Sequence, residues 1–384
     1  MLTVTLRMIP ASKSRLVRRA TIEVVKPQAA LQGRHNQTLN LAAEEPEPLL
    51  GRSDRDERLQ ERRRYRGRMA IRPTRSRRPF LFGLTLGLVL AACGDSGRII
   101  DAPARGARAV AAPADPAEHI AVIVMENKEY GTVIGSSDAP YLNGLARRKV
   151  LLMQEYAVSH PSLPNYLAMI GGSTFGITSD CTDCYVRGKN LVDQLEAQGI
   201  SWRAYMQSMP GACYTGASWG TDPNAYAKKH DPFMYFNDIR NRPLRCNKVV
   251  SFTELPGDLR NGLPQFVWIT PNECADMHSC SVATGDAWLK RWVPKILPAL
   301  GANGIVLILF DEGSSDLGCC GVDPGGGQVA AVIAGPGAAD RTGIRAAADH
   351  YSVLRLIEDE WGLRRLGGAG NGATPSIEGW RAAA

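Results

Sequence analysis

The chain has 384 residues, 45 Lys+Arg against 38 Asp+Glu, and a formal net charge of +7. Within residues 1–92 lie 19 of the basic and 8 of the acidic residues, which leaves 26 against 30 for residues 93–384. The basic balance therefore belongs to the N-terminal segment, and charge gives no support for nucleic-acid binding by the remainder. An apolar fraction of 44% with 22% charged residues excludes a wholly disordered chain.

Residues 1–68 are Arg-rich and lack apolar periodicity, the pattern of a non-native or disordered extension, with translation expected to start at Met69. Residues 69–92 have the layout of an export signal. A basic patch (Arg72, Arg75, Arg77, Arg78) precedes an apolar run from Phe80 to Leu90 and then small residues. The run is shorter than the roughly 20 residues a spanning helix needs. The ending Leu90-Ala91-Ala92-Cys93 resembles the bacterial lipobox, so Cys93 is expected to carry a lipid. This predicts export and anchoring to the cell envelope, in the outer membrane if the cell is Gram-negative, because Gly94 rather than Asp follows. Residues 93–116 read as an Ala/Pro/Gly-rich tether and 117–384 as one catalytic domain.

Within that domain apolar runs predict strands at His119–Met125, Trp202–Met206, Phe266–Thr270, Gly304–Phe310 and Gln328–Ala334. Amphipathic stretches predict helices at Leu142–Arg148, Asn165–Ile170, Leu191–Gln198, Ala287–Leu300 and Tyr351–Trp361. Near-continuous apolar strands alternating with helices imply an α/β fold with a mostly parallel central sheet and helices on both faces. Removing Cys93 from the nine cysteines leaves eight, an even number that in an exported chain predicts up to four disulfides. Adjacent Cys319 and Cys320 are expected to pair with distant partners.

In such sheets ligands bind beyond the carboxyl ends of the strands. There the sequence delivers Glu126-Asn127, then PNECADMH with Asp276 and His278, then Asp311-Glu312. Carboxylates gathered at one dry edge repel unless a cation neutralises them. The oxygen-rich group suits Ca, Mg or Mn, and Asp276 with His278 adds the mixed donors favoured by Zn or Fe. A divalent metal of open identity and number is the expected cofactor. Ser162, ahead of a helical pattern in SHPSLPNYLAMIGGS, would sit at a helix N-terminus where backbone N–H groups and Asn165 can face a phosphoryl group. His119 and His230 read as structural. Residues 207–262 are expected to supply pocket walls, with Tyr214, Trp219, Tyr226 and Phe233 within reach of an organic group.

The runs EHIAVIVMENKEYGTVIG, SHPSLPNYLAMIGG, PNECADMHSCSVATGDAWLKRWVPKIL, LILFDEG and HYSVLRLIEDEWGL occur in this order. Together they resemble the bacterial phosphoesterase family of phospholipases C and acid phosphatases, within the alkaline-phosphatase-like superfamily. The size is most similar to short secreted acid phosphatases, including those acting on phosphatidylinositol 3-phosphate. The resemblance implies Glu126, Asn127, Asp311 and Glu312 as metal ligands, with Ser162 as nucleophile and Asn165 on the phosphoryl oxygen. It also implies Asp276 and His278 near a second metal or the phosphate, and His350 as ligand or leaving-group acid; His160 is a weaker candidate for substrate contact. The implied activity is hydrolysis of phosphate monoesters through phosphoserine. The alternatives are a phospholipase C-type phosphodiesterase or a non-catalytic surface-binding lipoprotein. The expected partners are a phosphoester substrate and, through the lipid, a membrane, with no nucleic acid and no obligate protein partner. Ser162-Leu163-Pro164-Asn165-Tyr166 lacks the Arg that sulfatases need, and no DHV-type block follows Asp311-Glu312 as it would in phospholipases C.

Overall fold

The computed structural model of the chain describes Pro113 and residues 115–382. The expected extension 1–68, signal segment 69–92, Cys93 and most of the tether lie outside the described residues. All described elements fall within the unit Ser96–Ala384.

Nine strands form one sheet: β1 (Ile120–Met125), β2 (Val150–Tyr156), β3 (Trp202–Met206), β6 (Val249–Ser251), β7 (Phe266–Thr270), β8 (Ile305–Phe310), β9 (Gln328–Ala334), β10 (Thr342–Ile344) and β11 (Ala348–Asp349). Strands β4 (Ser218–Trp219) and β5 (Tyr226–Ala227) make a separate hairpin. The order is β10-β2-β9-β8-β1-β7-β3-β6, with β11 on β2. Only β9 runs against its neighbours, so the carboxyl ends of β1, β2, β3, β6, β7 and β8 share one edge. In register, Ile123 of β1 stands between Ile269 of β7 and Ile308 of β8.

Both faces are buried, and the period of two sorts the side chains between them. Ile120, Val122 and Val124 join one core with helices α2 (Ser162–Gly171), α3 (Leu191–Ala197) and α6 (His350–Glu360). Ala121, Ile123 and Met125 join the other with α1 (Pro140–Arg148), α4 (Leu255–Asn261) and α5 (Val282–Ile296). This double burial is why β1 and β8 read as unbroken apolar runs. Truncating Ile123 to Ala would cost about 2–5 kcal/mol.

Strand β2 is absent from the sequence-predicted set because VLLMQEY mixes buried and partly exposed positions near the sheet margin. Helix α5 starts at Val282 rather than Ala287, since the Ser281 hydroxyl caps it by accepting from Thr284 N–H. Gly285 in its first turns is required for packing: a Cβ there would meet Met277 Cγ at 2.4 Å and the Ala275 carbonyl at 3.0 Å. The loop that follows β7 is thereby pressed against α5. Four disulfides join Cys181–Cys184, Cys213–Cys246, Cys274–Cys280 and Cys319–Cys320. The last corrects the expectation of distant partners: the adjacent cysteines bond to each other.

Candidate active site

The shared strand edge assembles the site. Glu126 is the first residue after β1, Asp311 and Glu312 the first after β8, and Asp276 lies in the loop leaving β7. Ser162 opens α2 soon after β2. Two backbone bonds lock these ends together: Glu126 N–H donates to the Asp276 carbonyl (2.8 Å) and Asp311 N–H to that of Met125 (3.0 Å).

Ser162 Oγ lies 3.3 Å from Glu126 Oε2 and 3.1 Å from Glu312 Oε1. Glu126 also accepts from the Tyr166 hydroxyl, one turn along α2. His230 Nε2 is 3.3 Å from Glu126 Oε2, and its Nδ1 is 3.5 Å from Asp276 Oδ2. Asn127 sits at φ 49°, a left-handed conformation that Asn tolerates, and its N–H donates to Asp311 Oδ1 (3.0 Å). His278 N–H donates to Asp276 Oδ1 (2.8 Å), and Lys229 Nζ donates to His278 Nε2 (3.2 Å).

The electrostatics are those of a site short of positive charge. Burial, with Asp311 and Asp276 beside it, holds Glu126 well above the usual carboxylate range. Burial does the same to Asp276 and raises Asp311 as well. Glu312 is pushed up to about 7 by burial and by Asp311. Burial, then the nearby Lys229 and His278, keeps His230 well below the usual histidine range and so neutral. Three buried atoms here, Asp276 Oδ2, Asp311 Oδ2 and His230 Nε2, have no hydrogen-bond partner. Orphaned buried acceptors are rare and call for a ligand. The donor atoms of Glu126, His230 and His278 all lie within 4.8 Å of one another. A carboxylate-rich set with two neutral imidazoles fits a divalent cation.

Around this cluster runs a polar network with few loose ends. His160 hydrogen-bonds Glu312 through Nδ1 and donates from Nε2 to the Ser315 carbonyl (3.0 Å). The Ser315 carbonyl can only accept, so Nε2 carries a proton, and Nδ1 shares a proton with Glu312. Burial alone would lower its pKa, but the Ser315 carbonyl and Glu312 outweigh that and raise it. Glu129 in turn fixes the Ser315 loop, accepting from the N–H groups of Ser314 (2.7 Å), Ser315 (3.2 Å) and Gln328 (3.2 Å) and from Ser315 Oγ (2.9 Å). Asp180 accepts from Leu163 N–H at the start of α2 (3.0 Å) and pairs with Lys229 (3.2 Å).

The sequence-predicted residues fall into two sets. Glu126, Asp276, Asp311, Glu312, Ser162 and His278 come together, and Asn127 joins through its backbone. Three roles are revised. Asn165 Oδ1 accepts from the N–H groups of Val158 and Ser159, and its Nδ2 donates to the carbonyls of Ser159 and Pro161. Its amide ties the loop before Ser162, which leaves no donor for a phosphoryl oxygen. His350 is fully buried, with Nε2 donating to the Asp311 carbonyl (2.5 Å) and Nδ1 3.5 Å from Glu155. It braces the Asp311 backbone from behind, and its buried Nδ1 has no hydrogen-bond partner. His160 holds Glu312 and is not free for substrate. Conversely His230, expected to be structural, lies in the cluster. Lys128, Glu129, Asp180 and Lys229 escaped sequence reasoning; only the Lys228-Lys229-His230 run carried a signal for any of them.

The Phosphoesterase family matches residues 132–364. The phosphatidylinositol-3-phosphatase of Mycobacterium tuberculosis is 32% identical over 273 residues, covering 68% of this chain and 82% of the relative. The phosphate-repressible acid phosphatase of Penicillium chrysogenum is 30% identical over 59% of this chain and 55% of its own. An acid phosphatase of Aspergillus fumigatus is 29% identical over 63% and 54%. The chain thus spans just over half the length of these fungal relatives. Among solved structures, an alkaline phosphatase superfamily protein from Vibrio parahaemolyticus matches at TM-score 0.44 and 12% identity, over 69% of this chain and 72% of that one. The chain belongs to the Phosphoesterase family, and is a hydrolase acting on phosphoric esters.

Proposed function

We propose that the chain is a divalent-metal-dependent phosphomonoesterase that works through a phosphoserine on Ser162. The observation that carries this is Ser162 Oγ held between Glu126 Oε2 (3.3 Å) and Glu312 Oε1 (3.1 Å) at the start of α2. A cation bound among Glu126, Asn127, Asp276, Asp311, Glu312, His230 and His278 would supply positive charge that favours the serine alkoxide and offsets the charge of the phosphoryl group. Glu312 Oε1 is placed to take the Ser162 proton as the Oγ–P bond forms and the ester oxygen leaves, with His160 fixing that carboxylate. Lys128 and Lys229 lie within electrostatic reach of Glu126 and would add positive charge for an anionic substrate. Water then cleaves the phosphoserine and restores the hydroxyl.

The names of the relatives point to simple organic monoesters or a phosphoinositide headgroup as substrate. A phosphodiesterase reading is separated by a choice of substrates: phosphatidylcholine would yield phosphocholine while monoesters stayed intact. Ser162→Ala is expected to lower 4-nitrophenyl phosphate turnover by roughly a thousandfold or more with the fold retained. Acid quenching of the wild type with radiolabelled substrate should leave label on Ser162. Retention of most activity, or label on another residue, overturns the assignment. We also propose export and lipid anchoring at Cys93; labelled-lipid incorporation that survives Cys93→Ala would refute the anchor.

A further inference from the structure

The edge that carries the acid cluster over β8, β1 and β7 continues over β3 and β6, where it borders an open cavity of about 750 Å³. The walls are the segment after β3, the end of β6, the loop after β7, the β4–β5 hairpin and one face of α5. Two of these walls run directly into the site. Cys274 and Ala275 line the cavity, and the next residue is Asp276, with Cys274–Cys280 closing that loop. Trp219 and Asn224 line it from the hairpin that leads to Lys229 and His230.

The lining is aromatic. Phe252 stands edge-on to Trp292 at 4.8 Å between ring centroids and 5.5 Å from Trp288, and Trp219 is 52% exposed. Its one anomaly is Trp288. Three other tryptophan N–H groups find acceptors: Trp268 donates to Thr270 Oγ1 (3.0 Å), Trp202 to Glu196 (3.0 Å) and Trp361 to the Ala117 carbonyl (2.9 Å). Trp288 is only 8% exposed, and its Nε1 has no partner. A buried indole N–H ordinarily finds one. Arg291, also on the wall, forms no ion pair among the described residues.

We propose that this cavity is a leaving-group subsite for an aromatic ring bearing a hydrogen-bond acceptor, which makes aryl phosphoesters better substrates than aliphatic ones. Indole and phenyl groups give a flat ring an apolar bed, and the exposed Arg291 guanidinium on the same wall meets an acceptor on its rim. The proposal rests on the phosphoesterase reading of the neighbouring cluster, since the ring is taken to be the group the phosphoryl transfer releases.

The test pairs a binding measurement with a kinetic ratio. By calorimetry, 1-naphthol should bind the full chain saturably. Trp219→Ala, at a half-exposed position the fold can spare, should weaken that binding, and Trp288→Phe, which trims the indole to a smaller ring and removes its N–H, should weaken it less. The ratio of kcat/KM for 1-naphthyl phosphate over glycerol 2-phosphate should fall roughly tenfold in Trp219→Ala. Absence of saturable naphthol binding, or binding and ratio both unmoved by Trp219→Ala, overturns the subsite. If Trp288→Phe fails to fold, Trp219→Ala decides alone. If neither ester is turned over, the Ser162 reading fails, and the naphthol titration still judges the cavity.

Discussion

Two buried aspartates of this chain are treated in opposite ways. Asp286, in the second turn of α5, is 3% exposed, and both its oxygens are occupied: they accept from Tyr141 N–H (2.9 Å) and Leu142 N–H (2.8 Å) at the first turn of α1. It caps a neighbouring helix and ties two elements of one layer together. Asp311 is fully buried at the end of a strand, shares its surroundings with three other carboxyl groups, and leaves Oδ2 without a partner. Burial of a carboxylate is tolerated where backbone donors replace its water, and is unfavourable where more carboxylates are the neighbours. The unfavourable arrangement lies at the strand edge, where a ligand can resolve it.

Exchanging each residue for its amide separates the two cases. Asp311→Asn is expected to abolish saturable binding of Mn²⁺ in calorimetry and to lower phosphoester turnover more than ~100-fold, beyond the usual effect of disturbing an outer ligand partner. The metal-free variant should melt no lower than wild type, because like-charge repulsion is relieved. Asp286→Asn should instead lower stability by about 1–3 kcal/mol, since an amide nitrogen cannot accept from the helix N–H, while Mn²⁺ affinity stays. Equal loss of metal binding in both variants would erase the distinction.

The strand ends were legible because the physics is local. An apolar run long enough to cross a buried sheet, followed at once by acid, announces both the strand and the edge, and Glu126, Asp311 and Asp276 lie where that pattern puts them. What was not legible depends on contacts far apart in the chain. Glu155 belongs to a strand of mixed pattern and lies beneath His350, some 195 residues later by position in the sequence. Asn165 has the residue type of a phosphoryl donor, yet its donors and acceptors close on a loop only a few residues upstream. His230 follows two lysines in an irregular segment, so nothing periodic marks it as facing Glu126. Residue type identified candidates, and only packing decided which atoms remain free.

Glu129 extends the contrast to a residue outside the cluster that acts through others. Its carboxylate holds Ser315, whose carbonyl accepts from His160, which holds Glu312 beside Ser162. Burial would raise its pKa, but the donors from Ser314, Ser315 and Gln328 outweigh that and lower it. Glu129→Ala leaves those N–H groups without their acceptor, and kcat should fall roughly tenfold with KM little changed, as for a misplaced catalytic group. Glu129→Gln keeps one acceptor oxygen and should restore part of kcat. A loss confined to melting temperature, with kcat intact, would make Glu129 purely structural.

The smallest effect concerns a carboxyl group between these extremes. Glu358 in α6 accepts from Leu366 N–H with Oε1 (2.8 Å), whereas its buried Oε2 has no partner. Burial pushes its pKa up from 4.5 to about 8. The folded value exceeds the unfolded one, so folding favours the protonated form. That contribution is whole below the unfolded value and is lost as pH rises through the folded one. Glu358→Gln is neutral throughout. The melting temperatures of variant and wild type should therefore agree near about pH 4 and diverge with rising pH, the variant melting higher at about pH 9. A difference independent of pH would show that Glu358 is accommodated as a carboxylate, as Asp286 is, with Oε2 satisfied in solution.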